Sequence, residues 1–238
     1  MKRYSSYRKQ NGVIRKFFGL IKYFLVLYAL YILITSLFVS SYIMQSSAME
    51  DSIPRGQRLL AAPVVFGTEL PGGIKIPGIR TPSRGDIVIF SERKISFPLR
   101  AADSIIRFFT FQKVSVLENG KSWNNTVSAG RIIGIPGDTV KMENFEAFIK
   151  PADDTVFYPE KRIIGKKYSL KKGTLPSGWD KDKPFSGHME PLTLSDNEYF
   201  ILNDNRTVTG DSRFSGLVSR EDIKAPVFLA YMPGFSFK

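Results

Sequence analysis

The longest feature of the hydrophobic pattern is an uncharged run of 21 residues at positions 23–43, rich in Leu, Ile, Val, Tyr and Phe. A helix rises about 1.5 Å per residue, so this run matches the roughly 30 Å hydrocarbon core of a bilayer. We therefore predict one transmembrane helix over residues 23–43. A cleaved signal peptide is the alternative, because the small residues Ser46, Ser47 and Ala48 follow. Signal-peptide cores are shorter, however, at about 7 to 15 residues.

The charge around this run is one-sided. Seven Lys or Arg residues and no acidic residue lie before the run, whereas Glu50 and Asp51 follow soon after it. Under the positive-inside rule, residues 1–22 form a basic cytoplasmic tail and residues 44–238 lie outside the cytoplasm. We thus predict a single-pass protein of the cytoplasmic (inner) membrane, with membrane lipid as one partner.

Beyond the run, short β-rich segments alternate with Gly, Pro, Asn or Asp. The predicted strands are residues 58–66, 86–90, 112–117, 130–135, 139–142, 198–202 and 225–231. Several are apolar throughout, which is typical of strands buried on both faces. We predict a mostly β fold in which an antiparallel, coiled sheet follows the N-terminal helix. A smaller inserted β region, or loops, is expected at about residues 143–196.

One segment departs from the β pattern. Residues 95–111 predict a short amphipathic helix with Ile105, Phe108 and Phe109 on one side. Such a helix fits the membrane interface, or it packs on the sheet core. The sequence leaves both alternatives open.

The composition of the chain limits the kinds of partner and site that it can have. Of the net charge of +12, the first 48 residues supply +7, and the remaining domain has no basic run interleaved with aromatic residues. We therefore predict no nucleic-acid partner. The chain has no Cys and a single histidine, His188. This excludes disulfides, a thiol nucleophile and a histidine-rich metal site, and we predict no metal and no cofactor.

Four segments in order resemble the type I signal peptidase family, the membrane-bound Ser/Lys proteases that cut signal peptides from exported proteins. Residues 46–53 (SSAMEDSI) correspond to the family's Ser-x-Ser-Met-x-Pro-Thr-Leu, and residues 84–90 (RGDIVIF) to its Arg-Gly-Asp-Ile-Val-x-Phe. Residues 131–138 (RIIGIPGD) match Lys-Arg-x-x-Gly-x-Pro-Gly-Asp after its first residue. Residues 203–213 (NDNRTVTGDSR) parallel Gly-Asp-Asn-x-x-x-Ser-x-Asp-Ser-Arg.

The resemblance implies a serine nucleophile and a neutral lysine base, and the sequence departs from it at both positions. The nucleophile position is Ala48 and the general-base position is Gly130. Alanine has no attacking oxygen, and glycine has no amine to accept the proton. No catalytic residue is therefore intact.

The resemblance also assigns supporting roles. Ser46 would supply an oxyanion hydroxyl and Ala48 its backbone N–H. Thr209 stands where the family has a serine, and Asp211 and Arg213 form a supporting ion pair. A structural role in packing and turn geometry is the alternative for these residues. The remaining motif positions are expected to be structural: Met49, Arg131, Pro136, Gly137, Asp138, Asp204 and Asn205.

Substitutes for the missing pair are hard to find in the sequence. If residues 46–48 are extended, Ser47 faces away from Ala48, and Ser46 lies about 7 Å along the chain. Lys141 is the nearest downstream lysine in a predicted strand. We expect Ala48→Ser with Gly130→Lys to be the minimum change that restores activity.

Three hypotheses remain. The first is an inactive homologue that binds signal peptides of preproteins or partners the secretion machinery. The second is an active type I signal peptidase with substitute residues. The third is a structural envelope protein that keeps only the fold.

Overall fold

The computed structural model describes residues 3–50, 52–69, 74–91, 97–110, 114, 127–175, 177–180, 185–231 and 235–237. It begins with a long helix, α1 (Arg3–Leu37). Within α1, the segment Ile14–Thr35 is long and apolar enough to cross a membrane.

The helix ends six residues before the predicted boundary at residue 43. Residues Ser40–Ile43 instead form a strand, β1, which pairs with β2 (Arg58–Ala61). The hydroxyl of Ser40 donates to the carbonyl of Thr35 at 2.6 Å, which satisfies a carbonyl in the last turn of the helix. The ladder with β2 supplies hydrogen-bond partners for backbone N–H and C=O groups of residues 40–43, so these groups do not depend on a helix for their partners.

The main sheet has eight strands, all paired antiparallel, in the order β1-β2-β13-β5-β6-β11-β12, with β14 on the edge of β13. Its other strands are β5 (Ile87–Ser91), β6 (Val127–Gly134), β11 (Glu198–Leu202), β12 (Val218–Ser219), β13 (Ile223–Tyr231) and β14 (Phe235–Phe237). The first half of β13 pairs with β5 and its second half with β2, with a register shift in each ladder. These irregularities curl the sheet, so the predicted coiled antiparallel fold is confirmed.

A second sheet of four strands has the order β10-β7-β8-β9. Its strands are β7 (Thr139–Glu143), β8 (Glu146–Lys150), β9 (Tyr158–Pro159) and β10 (Met189–Thr193), and α4 (Glu160–Ile164) follows β9. Asn144 and Phe145 have φ angles of 53° and 65°, which close the hairpin between β7 and β8 in two residues. This sheet occupies the region in which an insertion was expected, although its first strand begins at Thr139.

The remaining short elements are α2 (Pro63–Phe66), β3 (Gly67–Glu69), β4 (Lys75–Pro77) and α5 (Ser212–Ser215). The first of these corrects the predicted strand 58–66, because Pro63 opens a helical turn where its missing N–H is not needed. The predicted strand 112–117 lies outside the described residues, except for Val114.

The sequence of β5 does not alternate between apolar and polar residues because both faces of this strand are buried. Ile87 and Ile89 belong to one buried cluster, whereas Val88 and Phe90 belong to another on the opposite face. We call these the Ala48 cluster and the Phe90 cluster. The first contains Met44, Ala48, Met49, Ile53, Leu59, Ala61, Ile87, Ile89, Ala129, Ala225, Val227 and Ala230. The second contains Phe66, Val88, Phe90, Ile132, Tyr199, Ile201, Val218 and Ile223.

The predicted amphipathic helix is present as α3 (Phe97–Phe109). It packs against α1, where the Phe108 ring lies 5.2 Å from the rings of Tyr28 and Tyr31. Helix α3, which lies between β5 and β6 in the chain, thus contacts the apolar N-terminal helix.

Candidate functional site

The segment that carries the nucleophile position is a tight turn. The Glu50 N–H donates to the Ser47 carbonyl at 3.1 Å, and the Ile53 N–H donates to the Met49 carbonyl at 2.6 Å. The assumption of an extended segment at residues 46–48 is therefore incorrect, and strand alternation does not set the direction of Ser47. The Ala48 N–H points to the Ser46 hydroxyl at 3.3 Å. The Ser46 hydroxyl therefore accepts the N–H that the resemblance assigns to the oxyanion.

Ala48 itself is part of the buried apolar core. Its side chain is 6% exposed and belongs to the cluster that contains Met49, Ile53 and Ile89. Ala129 of β6 lies in the same cluster and is also 6% exposed. The nucleophile position and its neighbour on β6 therefore both present methyl groups to this buried apolar cluster.

Gly130 is on the other face of β6. It pairs with Val88 of β5, whose side chain belongs to the Phe90 cluster. A Cβ at position 130 would lie 2.6 Å from Ile201 Cγ2 and 3.2 Å from Phe90 Cε1. The structure therefore does not bring the two altered positions together on one face, and the space beside Gly130 is filled by the core.

Arg131, the next residue, is held in a buried ion pair. Its Nε and Nη2 donate to the two carboxylate oxygens of Asp204 at 2.8 and 2.6 Å. The Ser52 hydroxyl donates to the same carboxylate, and Arg131 Nη1 donates to the Gly85 carbonyl at 3.1 Å. The Tyr168 ring lies 4.1 Å from the guanidinium carbon. Bidentate geometry and these added contacts offset the desolvation of both charges.

A second buried pair extends this framework toward the smaller sheet. Arg206 Nη2 donates to Glu160 at 2.5 Å, and the Tyr168 hydroxyl donates to the same carboxylate oxygen at 2.9 Å. Burial, and then the negative charge of Glu160, raise the pKa of the Tyr168 phenol. Tyr168 thus joins the two ion pairs, with its ring on Arg131 and its hydroxyl on Glu160.

The loop after β11 clamps the turn at Ala48. The Asn205 N–H donates to the Ala48 carbonyl at 2.9 Å, and its side-chain amide donates to the Ser47 carbonyl at 3.0 Å. Lys171 Nζ reaches Glu50 at 2.9 Å. These contacts fix the turn from outside the Ala48 cluster.

Asp211 and Arg213 form the expected pair, with a bidentate contact of 2.9 and 2.8 Å. Arg213 also donates to the carbonyls of Arg206 and Val208, and Asp211 accepts from the Asn203 N–H. This network shapes the loop after β11. Thr209 is exposed, whereas Val208 packs against the Ala48 cluster, so the predicted hydroxyl is not brought into that cluster.

Pro136, Gly137 and Asp138 form the turn between β6 and β7. Gly137 has a φ of 86°, a value that favours glycine. Asp138 accepts the Ile135 N–H and a bidentate contact from Arg84 at 2.7 and 2.5 Å. This ion pair joins two of the motif segments. Residues 84–90 supply the cation, Arg84, and residues 131–138 supply the carboxylate, Asp138.

Lys141, the lysine considered as a substitute for the general base, is not on the sheet that carries position 130. Lys141 lies on β7 in the second sheet and donates to Glu143 at 2.7 Å. Lys171 reaches the turn, but its Nζ donates to Glu50 and its side chain is 49% exposed. Across the described residues, no group of three or more His, Asp or Glu side chains could hold a metal ion.

Arg107 of α3 was not among the predicted site residues, yet it contacts the strand before the site. Its Nη1 donates to the Ser41 carbonyl of β1 at 2.9 Å, and its Nε donates to Asp103 at 2.7 Å. The spacing of four between Asp103 and Arg107 was a visible signal for the intrahelical pair. The contact with Ser41 depends on the tertiary position of α3.

Curated relatives cover nearly the whole chain. Signal peptidase I P of Bacillus subtilis subsp. natto is 25% identical over 229 residues, covering 95% of this chain and 92% of that protein. Signal peptidase IB of Staphylococcus aureus (strain COL) is 22% identical over 213 residues, covering 90% and 88%. A crystal structure of a signal peptidase I from Enterococcus faecalis V583 aligns with a TM-score of 0.34 and 22% identity, covering 63% of this chain and 98% of that one.

The family model described as "Signal peptidase, peptidase S26" matches residues 17–232. This range includes α1 from Phe17, every strand except β14 and all four motif segments. The chain therefore belongs to the signal peptidase (peptidase S26) family.

Proposed function

We propose that this protein is a membrane-anchored, non-catalytic member of its family that binds the signal peptides of exported preproteins. The observation that carries the proposal is the pair of altered positions. Ala48 offers a methyl group where the family attacks, and Gly130 offers no side chain where the family has its base. Chemistry at these positions would need an oxygen and an amine.

The membrane anchor is part of this proposal. Segment Ile14–Thr35 would span the bilayer, with the basic N-terminal end in the cytoplasm and the sheets on the far side. The turn at Ala48 then begins about 13 residues after the span. It would lie near the outer surface of the membrane, where the end of a translocated signal peptide emerges.

Binding without cleavage is supported by what surrounds the turn. Ala48 and Ala129 belong to a buried apolar cluster, and the partly buried Tyr42 and Val208 pack against it. Small apolar side chains of a peptide would pack beside these two residues. Asn205 holds the backbone of the turn in place, and Lys171 pairs with the Glu50 side chain. A preorganised turn loses little conformational entropy on binding.

The alternative is an active peptidase with substitute residues. Ser46 and Ser47 are the serines of the turn, and Lys171 is the lysine that reaches it. Against this, the Lys171 ammonium is paired with Glu50 and open to solvent. The Ser46 hydroxyl already accepts from the Ala48 N–H. No described contact joins either serine to a lysine.

One experiment addresses cleavage. The purified full chain in detergent is incubated with a preprotein that carries an Ala-x-Ala cleavage site, and the products are separated by mass. We expect the preprotein to stay intact. Cleavage that is lost in Ser46→Ala or Ser47→Ala would instead establish the active alternative, and cleavage that persists in both variants would point to a contaminating peptidase.

A second experiment addresses binding. A photoreactive benzoylphenylalanine replaces Glu50, beside Met49, and a matched control places it at Glu143 on the second sheet. Their side chains are similarly exposed, at 44% and 51%. We expect saturable crosslinking to the signal peptide at position 50, competed by unlabelled peptide, and none at position 143. Equal labelling at both positions, or no labelling, would favour the purely structural class.

A further inference from the structure

Helix α3 contacts α1 through aromatic and polar side chains. The Phe108 ring meets the Tyr28 and Tyr31 rings edge-on, with centroids 5.2 Å apart in both cases. The Tyr28 hydroxyl also donates to the Ser104 hydroxyl at 3.3 Å. Two helices that are distant in sequence thus share one interface.

The contact lies within the apolar segment of α1. Tyr28 and Tyr31 are seven and four residues before Thr35, the end of the segment Ile14–Thr35. At about 1.5 Å per residue, they lie roughly 10 and 6 Å inside that end. Any bilayer that surrounds the segment also reaches the residues of α3 that touch these tyrosines.

The two sides of α3 differ in polarity. Ile105 and Phe109 are exposed, at 47% and 69%. Asp103 is buried, and Arg107 pairs with it and donates to the Ser41 carbonyl. The charged pair is therefore directed to the folded domain, whereas Ile105 and Phe109 keep about half or more of their surface open in the described part of the chain.

We infer that α3 is embedded in the outer leaflet of the membrane, with Ile105 and Phe109 against the acyl chains. This inference rests on the proposed anchoring of α1. An amphipathic helix with exposed Phe and Ile is stabilised when lipid covers this apolar surface. Through Arg107 and the Ser41 carbonyl, α3 then fixes the height of β1, and of the turn at Ala48, above the membrane.

The absence of cysteine makes a direct test possible. Single-cysteine variants Phe109→Cys, Ile105→Cys, Leu25→Cys and Val156→Cys are labelled with an environment-sensitive nitrobenzoxadiazole dye. The labelled full chain is reconstituted in phosphatidylcholine–phosphatidylglycerol vesicles. These vesicles carry nitroxide lipids with the spin label either near the headgroup or deep in the acyl chain. All four native side chains are exposed, so the label does not disturb the core.

We expect the dye at positions 109 and 105 to lose most of its fluorescence to the shallow nitroxide, and the dye at position 25 to the deep one. Position 156, on the loop before β9, should keep its fluorescence with both lipids. Quenching at 25 without quenching at 109 and 105 would overturn the placement of α3 and leave the anchor intact. Absence of quenching at 25 would overturn the anchor and the inference together.

Discussion

The site contains two regions of opposite character. One is the framework of buried ion pairs, in which Arg131 holds Asp204 and Arg213 holds Asp211 with bidentate geometry. The other is the pair of positions 48 and 130, where a methyl group and a hydrogen replace the expected serine and lysine. The framework supports the backbone of the turn and of the loop after β11, whereas positions 48 and 130 support only packing. Shape and chemistry are therefore maintained by different residues.

The same contrast appears in what each region could tolerate. A buried charge is costly unless its partner is present, so neither member of a framework pair is free to change alone. A methyl group in an apolar cluster has no such partner. The framework thus resists substitution even when no reaction depends on it, and its retention alone is not a sign of catalysis.

The largest expected effect is at the framework. Asp204→Ala leaves the Arg131 guanidinium buried without its carboxylate, and we expect a loss of about 3–5 kcal/mol in the free energy of unfolding. Urea denaturation of the detergent-solubilised protein measures it. Glu143→Ala is the matched control, because it breaks an exposed pair with Lys141, and should change stability by less than about 1 kcal/mol. Similar losses in both variants would contradict the role of the buried pair.

A smaller effect is expected at Gly130. Gly130→Ala brings a Cβ against Ile201 Cγ2 and should lower the free energy of unfolding by about 1–3 kcal/mol through overpacking. Ile201→Leu removes Cγ2 and should relieve part of this loss, whereas Ile201→Val keeps Cγ2 and should not. A double-mutant cycle for each pair measures the coupling. Equal coupling in both cycles would show that position 130 faces elsewhere.

This geometry also sharpens the restoration experiment. The sequence predicts Ala48→Ser with Gly130→Lys as the minimum change that restores cleavage. Because a side chain at position 130 meets Ile201 and Phe90, we expect the double variant to remain inactive, as should each single variant. Processing of a preprotein is the readout. Activity in the double variant would contradict the placement of positions 48 and 130 on opposite faces.

A further effect depends on pH. Burial and the charge of Glu160 raise the pKa of Tyr168, so the folded protein keeps this phenol protonated where the unfolded chain loses the proton. Its contribution to stability is complete below the unfolded pKa of about 10, and falls by up to about 1.4 kcal/mol per pH unit above it. Unfolding measured across alkaline pH should be less steeply pH-dependent in Tyr168→Phe. An unchanged slope would place Tyr168 in water.

The smallest effect is expected at Thr209, which is exposed. Thr209→Ala should change the free energy of unfolding by no more than about 0.5 kcal/mol and leave crosslinking at position 50 unchanged. Both quantities are measured as above. A clear loss of crosslinking would instead give the Thr209 hydroxyl a role in binding.

Much of the architecture was accessible from the sequence because it follows from local patterns. The apolar run marked α1, the continuous apolar strands predicted a sheet buried on both faces, and residues 95–111 predicted α3. The boundary at residue 43 failed because Ser40–Ile43 are uncharged, as is the helix before them, and the absence of charge does not distinguish a helix from a strand. Only the ladder with β2, a contact distant in sequence, decides for the strand.

The site was accessible only in part. Motif order identified Ala48, Gly130 and the ion-pair residues, because charged and glycine positions are distinctive. Periodicity failed at the turn of Ala48, where hydrogen bonds to the Ser47 and Met49 carbonyls replace a strand. Arg84 and Arg107 were missed as site contacts because their partners, Asp138 and the Ser41 carbonyl, lie 54 and 66 residues away.

The most direct test of binding without cleavage uses the protein with benzoylphenylalanine at position 50. The protein is incubated with a preprotein for about an hour before illumination, and the mass of the crosslinked adduct is then measured. We predict one adduct whose mass equals this chain plus the full-length preprotein. An adduct that contains only a released signal peptide, with the shortened mature protein free in solution, would contradict the central claim that this protein holds a signal peptide without cutting it.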